Sequence, residues 1–279
     1  MIVALFSNIQ KKGSKVLSIG VKEFLNKHNI TVVASDENAE FLGIDSLSSV
    51  NHSTIDVLIS IGGDGTILRL IHDYPDLQAP IFAINMGGLG FMADNPIADV
   101  YTNLQKLVDG DYTIEERIMM HGSTTDGEIC FAVNEMVIHR AKNPNIVDLA
   151  LHVNGKYLNT FSADGIIIST PNGSTAYSLA AGGPIISPEL EAFVITPICP
   201  HTISNRPLVF SPDHEVQIRY LSHHEPVEIT FDGISRSNLS TGEAFSITRS
   251  EKKFRLISLE SHDYFATLRE KLGWVGKLR

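Results

Sequence analysis

Residues 56–61, Asp-Val-Leu-Ile-Ser-Ile, form an apolar run that stops at Gly62-Gly63-Asp64-Gly65-Thr66, and a helical pattern starts directly behind it. A buried strand passing into a helix through three glycines in five positions leaves little freedom in what surrounds it. Glycine lets the backbone come close to an anion, successive N–H groups can point at that anion, and the helix start adds partial positive charge. That is phosphate-binding chemistry. Asp64 is the exception within it, because a carboxylate among such amides repels the ligand unless it has a task, such as accepting a hydroxyl proton or holding a cation. A tight turn with Asp64 as helix N-cap is the plainer alternative. The segment follows neither the P-loop pattern nor G-x-G-x-x-G, so those two fingerprints are not in use.

The surrounding rhythm places that turn in an α/β domain. Strands are expected at residues 2–6, 30–34, 56–61 and 80–85, and a helix over 15–28 with Val16, Leu17, Val21, Phe24 and Leu25 on one face. A further helix is expected from 66–72. Another starts at Asn95-Pro96, read as N-cap and first turn, with Ile97, Val100, Leu104, Leu107 and Val108 as its stripe. Alternating strands and helices imply a parallel, Rossmann-like sheet with helices on both faces. After Gly110 the texture is β-rich, with strands expected at 131–139, 146–153, 157–161, 166–170, 193–196, 215–221, 227–231, 245–249 and 254–259. Asn154-Gly155 signals a type I′ hairpin. Only 175–181 has helix character in this half. Residues 262–272, with Tyr264, Phe265, Leu268 and Leu272 on one face, close the chain as a helix. At about 150 residues per domain, 279 residues suggest two units. These are an α/β domain over 1–113, with 262–279 packing back on it, and a β-rich domain over 114–261.

Charge and cysteine usage narrow the partners. Lys plus Arg number 22 against 32 Asp plus Glu, a net charge of −10, and no basic stripe is visible, which argues against a nucleic-acid partner. A polyanionic ligand would have to be drawn in by backbone N–H groups, a bound cation or a few local Arg and Lys. Two cysteines, Cys130 and Cys199, are too few for a disulfide framework and fit a reducing compartment. No apolar stretch reaches the 18 residues of a spanning helix, and the apolar start at 2–6 is too short for a signal segment. A cytoplasmic protein without a membrane partner is expected.

Two further segments carry chemistry. Residues 164–178 run from Asp164 through a strand into Pro171-Asn172-Gly173, where Ser174 can N-cap a short helix that stops at Gly182-Gly183. Five hydroxyl side chains (Ser169, Thr170, Ser174, Thr175 and Tyr177) fall within nine positions, more than a plain connection between strands needs. Asn134-Glu135 lies in an apolar strand, where an amide and a carboxylate must be paired or face solvent. Neighbours in a regular strand point to opposite faces, so both touch one ligand only near a bend or an edge. Ribose hydroxyls and an adenine amino group would suit them. An edge-strand explanation serves equally well. His223-His224 and Cys199-Pro200-His201 lack further ligands at zinc spacing.

Together these segments resemble the NAD kinase family, which phosphorylates the adenosine 2′-hydroxyl of NAD to make NADP. The resemblance rests on residues 62–66, on Asn85-Met86-Gly87-Gly88-Leu89-Gly90-Phe91, on Asn134-Glu135, on 164–184, on 196–209 and on the C-terminal 264–274, in family order along nearly the whole chain. It implies an N-terminal Rossmann-like α/β domain, a C-terminal β-rich domain, and homodimers or homotetramers. It implies NAD and ATP as substrates, with Mg²⁺ or another divalent cation accompanying ATP, and inorganic polyphosphate as an alternative donor. By the same resemblance Asp64 is the proton acceptor for the 2′-hydroxyl. Asp64, Gly65, Arg69, Asn85, Phe91, Asn134, Glu135, Asn145, Asp164, Thr175, Ala176, Tyr177, Ser178, Leu179 and Ala180 fall at ligand-binding positions, with Tyr177 at the nicotinamide half and Asp164 at its amide or ribose.

Three positions depart from the family pattern. Ser162 stands where many members have Arg, removing a positive charge near the ligand's phosphates. Asn172 replaces a frequent Thr in the turn, and Ile234 replaces a frequent Gln after Asp232-Gly233. A lipid or sugar kinase sharing the glycine turn, or a non-catalytic dinucleotide sensor, are the competing readings.

Overall fold

The computed structural model describes residues 1–279 except 89, 203, 260–262, 275 and 277–279. Packing divides the chain into two units, Met1–Glu116 with Arg255–Arg279, and Arg117–Phe254. In the first, short apolar runs become parallel strands because each is followed by a crossover that lets the next strand run in the same direction. Strands β1 (Ile2–Ser7), β2 (Thr31–Ala34), β3 (Val57–Gly62) and β4 (Ile81–Asn85) pair in the order β4-β3-β1-β2, all parallel. Every residue of β3 and β4 is buried, as expected of strands covered on both faces. Helix α1 (Ser14–Lys27) buries Leu17, Val21 and Leu25, whereas Val16 of the predicted stripe is 75% exposed. Helix α2 (Asp36–Leu42), unforeseen from apolar periodicity, carries Asp36 and Glu37 in its first turn and ends at left-handed Gly43.

Helix α3 (Asp64–Asp73) starts two residues earlier than predicted, with Gly63 and not Asp64 as N-cap. The expected helix start at Asn95 is also corrected. Asn95–Pro96 is a two-residue strand, β5, parallel to β4, and a 3₁₀ turn over Ile97–Asp99 leads into helix α4 (Val100–Asp109). Asn95 is buried, and its amide serves the core instead of a cap. Nδ2 donates to the Ala83 carbonyl at 2.9 Å, and Oδ1 accepts from Asn103 Nδ2 at 2.9 Å. Val100, Leu104 and Leu107 form the buried stripe of α4, while Ile97 lies ahead of the helix and is 45% exposed.

The second unit is antiparallel. Strands β6 (Thr113–Thr124) and β7 (Ile129–Ala132) pair with each other and precede β8 (Glu135–His139), β9 (Val147–Val153), β10 (Lys156–Ala163) and β11 (Gly165–Ser169). A 3₁₀ turn over Asn172–Thr175 and the four-residue helix α5 (Tyr177–Ala180) follow. Then come β12 (Phe193–Ile198), β13 (Leu208–Phe210), β14 (Val216–Tyr220), β15 (Val227–Phe231), β16 (Ser235–Leu239) and β17 (Ala244–Ser258). One sheet runs β13-β12-β11-β8-β15-β16, and a second set runs β10-β9-β14-β17. Ile166 and Ile168 face the main core with Met136, Ile138, Phe193 and Ile195, while Ile167 packs with Val137, Ile198 and Ala181 on the other side. Burial on both faces explains the unbroken isoleucine run.

Asn154 (φ 49°) and Gly155 (φ 72°) make the predicted type I′ hairpin between β9 and β10. Three readings of this half change. The strand expected over 131–139 is broken between β7 and β8. The two expected at 245–249 and 254–259 are one fifteen-residue strand, β17. Ser174 does not cap a helix: its Oγ donates to the Pro171 carbonyl at 2.6 Å and accepts from Ile186 N–H at 3.0 Å.

Through β17 the chain returns to the first unit, where Leu256 pairs in parallel with Ile81 of β4. Helix α6 (Tyr264–Lys271) starts under an Asp263 cap that accepts from the N–H groups of Phe265 and Ala266. Leu268 is buried and Phe265 is 63% exposed, so the predicted four-residue apolar face is only partly used. Residue 262, the expected start of that helix, lies outside the described residues, as do Leu89 and Ile203 of the motifs above. Among the described residues no helix is long and apolar enough to cross a membrane.

Asn95→Ala should destabilise the protein by about 1–3 kcal/mol in urea unfolding, because it strands the buried Asn103 amide and Ala83 carbonyl. A loss below about 0.5 kcal/mol, the range of neutral surface changes, would contradict the role given to this amide.

Candidate functional site

In the first unit the glycine turn lies at the carboxyl end of β3, where open α/β sheets bind their ligands. Because α3 begins at Asp64, this side chain projects from the first helical turn and meets the loop after β4. Its Oδ2 accepts from Phe91 N–H at 2.9 Å, and its Oδ1 accepts from Met92 N–H at 3.2 Å and Ala93 N–H at 2.9 Å. A carboxylate has about four acceptor positions, so three are filled and one remains, on Oδ2. The approach is close enough that a Cβ on Gly90 would lie 2.2 Å from Asp64 Oδ1, which explains the glycine there. Asn85 braces the same loop from inside. Its Nδ2 donates to the carbonyls of Gly88 and Ala93, both at 2.9 Å, and its Oδ1 accepts from Gly87 N–H at 2.8 Å. The Phe91 ring packs near that of Tyr264, with centroids 6.2 Å apart.

Beside this turn a cavity of about 390 Å³ is lined by Ser7, Asn8, Lys11, Gly63, Gly65, Thr66 and Arg69, among others. Lys11 comes from the β1–α1 loop, and its Nζ donates to the Gly62 carbonyl at 3.1 Å. Arg69, one helical turn after Gly65, is exposed along the rim. Sequence reasoning missed Lys11, since a lysine in a polar loop carries no local signature. Gly65 and Arg69 share this cavity with it, so five of the sequence-predicted positions, Asp64, Gly65, Arg69, Asn85 and Phe91, cluster around one turn.

In the second unit the break between β7 and β8 falls at Val133-Asn134, so Asn134 and Glu135 sit at the bend that the sequence reading required of them. Three successive N–H groups turn toward Asp232, whose carboxylate accepts from Val133 at 2.8 Å, Asn134 at 2.7 Å and Glu135 at 3.0 Å. The 170–175 turn is packed against this bend. Thr170 Oγ1 donates to the Val133 carbonyl at 2.6 Å, and Asn172 links Asn134 Oδ1 to the Arg117 guanidinium. Gly173 must be glycine, because a Cβ would lie 2.1 Å from the Asn134 carbonyl oxygen. The Thr-to-Asn departure at 172 therefore supplies an amide that bridges both neighbours.

Glu135 is buried, and its Oε2 has no hydrogen-bond partner among the described residues. Desolvation, with the Asp232 charge adding to it, pushes its carboxyl up to about 8. Of the remaining predicted positions, Ser178 is buried and its Oγ hydrogen-bonds with Thr196 Oγ1 at 2.9 Å. Thr175, Ala176 and Leu179 are half-buried, and Tyr177, Ala180 and Asn145 are exposed. Asp164 is half-exposed and ion-paired, with Arg140 Nε 2.7 Å from its Oδ1. Arg140 thus brings a cation to Asp164 although Ser162 carries none; Ser162 Oγ is bonded to Asp148.

The family model for the ATP-NAD kinase N-terminal domain matches residues 3–112, and that for the ATP-NAD kinase C-terminal domain matches 133–259. The chain is 55% identical over 278 residues to an NAD kinase of Protochlamydia amoebophila, covering 100% of both chains. It is 36% identical to an NAD kinase of Geobacter metallireducens over 98% of both. Among solved structures, an Archaeoglobus fulgidus NAD kinase in complex with ATP aligns with a TM-score of 0.79 at 26% identity, over 99% of this chain and 100% of that one. Yeast NADH kinase complexed with NADH aligns at 0.91 over 100% and 89%, and at 24% identity it speaks for the fold alone.

The Glu135 carboxyl generates a signed prediction. Between its ordinary value of 4.5 and about 8 the folded protein keeps a proton that the unfolded chain has released. Stability contributed by this group is therefore full below the lower value and is lost as pH rises through the window. Glu135→Gln cannot ionise, so its urea midpoint should fall less than that of the unsubstituted protein between pH 5.5 and 8.5. Parallel pH profiles for the two would contradict the assignment.

Proposed function

The chain belongs to the NAD kinase family, enzymes that transfer a phosphoryl group from ATP to NAD, and on that premise we propose that Asp64 orients the adenosine 2′-hydroxyl of NAD for in-line attack. One observation carries this reading: a carboxylate fixed by three backbone N–H groups with one acceptor position left on Oδ2. A hydroxyl donating to that position has its oxygen lone pair aimed by a group that cannot swing. Phosphoryl transfer passes through a loose transition state in most analyses, so positioning and charge stabilisation supply most of the acceleration and early proton removal supplies little. Asp64 takes the proton late, as the new O–P bond forms and the bond from the γ-phosphorus to the bridging oxygen breaks, its electron pair leaving with ADP.

The donor's phosphates fit the cavity of the glycine turn. There the N–H groups at the start of α3 and the cations Lys11 and Arg69 would receive the phosphates, on a lining that also carries Glu37 and Asp73. Mg²⁺ fits this setting as a companion of ATP. Among the described residues no three His, Cys, Asp or Glu side chains converge into a metal site, and Mg²⁺ is ordinarily held by substrate phosphates and waters with one or two carboxylates, for which the cavity offers Glu37 and Asp73. Bound there, the ion would neutralise charge on the transferred group.

NAD is held by the second unit in this reading. Asn134 and Glu135 take the adenosine, and Glu135, protonated at neutral pH, can donate to a ribose or ring acceptor. Asp164, Asn145 and the 175–180 segment serve the rest of the dinucleotide, with Tyr177 at the nicotinamide half; their exposed or half-buried positions leave them free to do so, apart from Ser178, which shapes the segment from inside. Asn85 acts by bracing the 86–93 loop. A cytoplasmic homodimer or homotetramer completes the reading, and light scattering tests the assembly.

Asp64→Asn should lower kcat by about 10²-fold or more while changing the KM for NAD by no more than about threefold. Equal losses in both, or retained turnover, would remove Asp64 from the chemistry. Lys11→Met should raise the KM for ATP by about 10- to 100-fold, the worth of a charged hydrogen bond, and leave the KM for NAD unchanged. An unchanged KM for ATP, in a variant that melts normally, would take Lys11 out of the donor site.

A further inference from the structure

Asp232 belongs to no ligand set assigned so far, yet its surroundings are unusual. It heads the turn between β15 and β16 with φ 51°, followed by Gly233 at φ 67°, and Ile234 N–H donates to the Phe231 carbonyl at 2.9 Å. Left-handed backbone is strained for a side chain other than Gly, with Asn and Asp the best tolerated. A second glycine would relieve that strain, so the carboxylate has to do something to be worth its place. What it does is accept three consecutive N–H groups, those of Val133, Asn134 and Glu135, at 2.7–3.0 Å in a buried setting. In return Asp232 N–H donates to the Glu135 carbonyl at 3.0 Å, locking the two segments both ways.

Three N–H groups in a row cannot converge on one point from a regular strand, where they alternate in direction. Their convergence falls where the chain leaves β7, paired with β6 in one sheet, for β8, paired with β11 and β15 in the other, and the strict alternation of a single strand does not hold across that bend. We propose that Asp232 is a positioning residue for the adenosine end of NAD, its carboxylate holding the 133–135 bend that presents Asn134 and Glu135 to one ligand. The proposal rests on the reading of those two residues as adenosine ligands. In an unclamped strand, Asn134 or Glu135 would face away from the ligand, and the amide link from Asn134 through Asn172 to Arg117 would lose its register.

The test uses the full-length enzyme and steady-state kinetics with NAD and Mg-ATP. Asp232→Asn keeps the size and the tolerance for left-handed backbone but turns an NH₂ group toward N–H donors. Asp232→Gly frees the turn of strain and removes the acceptors altogether. Both should raise the KM for NAD at least about tenfold, with kcat and the KM for ATP within about threefold, the signature of lost binding at one substrate. In an Asn134→Ala background, adding Asp232→Asn should change the KM for NAD by less than about threefold, since residues acting through one another are not additive. An unchanged KM for NAD in the Asp232 variants, a matching rise in the KM for ATP, or full additivity with Asn134→Ala overturns the proposal. If neither variant folds, the carboxylate is a folding determinant and the proposal is equally overturned. Should Asn134→Ala itself leave the KM for NAD unchanged, the adenosine reading fails and this proposal with it; a rise there without one in the Asp232 variants sinks this proposal alone.

Discussion

One interaction recurs in both units and sets the shape of each candidate site: a carboxylate accepting three successive backbone N–H groups. Asp64 gathers Phe91, Met92 and Ala93, and Asp232 gathers Val133, Asn134 and Glu135. Peptide N–H groups that leave helix or sheet must find an acceptor when they are withdrawn from water, and a charged acceptor is worth roughly twice a neutral one. The chain can therefore hold an irregular bend at each place where a ligand must come close. Removing either carboxylate leaves several donors unsatisfied at once, so the geometry at these bends is over-determined.

The parts of the fold set by repetition were legible before any coordinates. Apolar runs at β1, β3 and β4, the 3.6-residue spacing of Leu17, Val21 and Leu25, and the Asn154-Gly155 hairpin all follow from local pattern. What escaped depends on partners distant in sequence. Asn95 resembles an N-cap until Ala83 and Asn103 are seen to claim its amide. Ser174 resembles one until Ile186 arrives. The break at Asn134 depends on a carboxylate 98 residues away, and no periodicity in 131–139 carries that information. The site residues follow from the family resemblance that the motifs carry, whereas the cations beside them, Lys11 and Arg140, sit in loops whose composition is ordinary.

Charge explains why those cations matter. A chain of net charge −10 repels nucleotides at long range, and the repulsion is screened over about 8–10 Å at physiological salt. Inside that distance the local field is set by the N–H groups at the start of α3 and by Lys11 and Arg69 against Glu37 and Asp73 on the same lining, not by the overall balance. Ser162 fits the same logic. A serine bonded to Asp148 leaves no cation at that position, but Arg140 stands against Asp164. The electrostatic character of a site is thus decided by which side chains the topology brings together.

The two clamped carboxylates also differ in a way that assigns their tasks. Asp64 holds its three N–H groups with an acceptor position to spare, at the end of a helix whose N-terminus favours negative charge. A carboxylate held in this way is a guide: the hydroxyl that donates to it is kept in one place. That suits a reaction in which the hydroxyl keeps most of its proton until the O–P bond is well formed. Asp232 has Glu135 beside it, and burial, with the Asp232 charge adding to it, raises the Glu135 carboxyl. Asp64 and Asp232 are each tied to three backbone amides, whereas Glu135, buried with an unpartnered oxygen, keeps its proton and can donate it to a ligand.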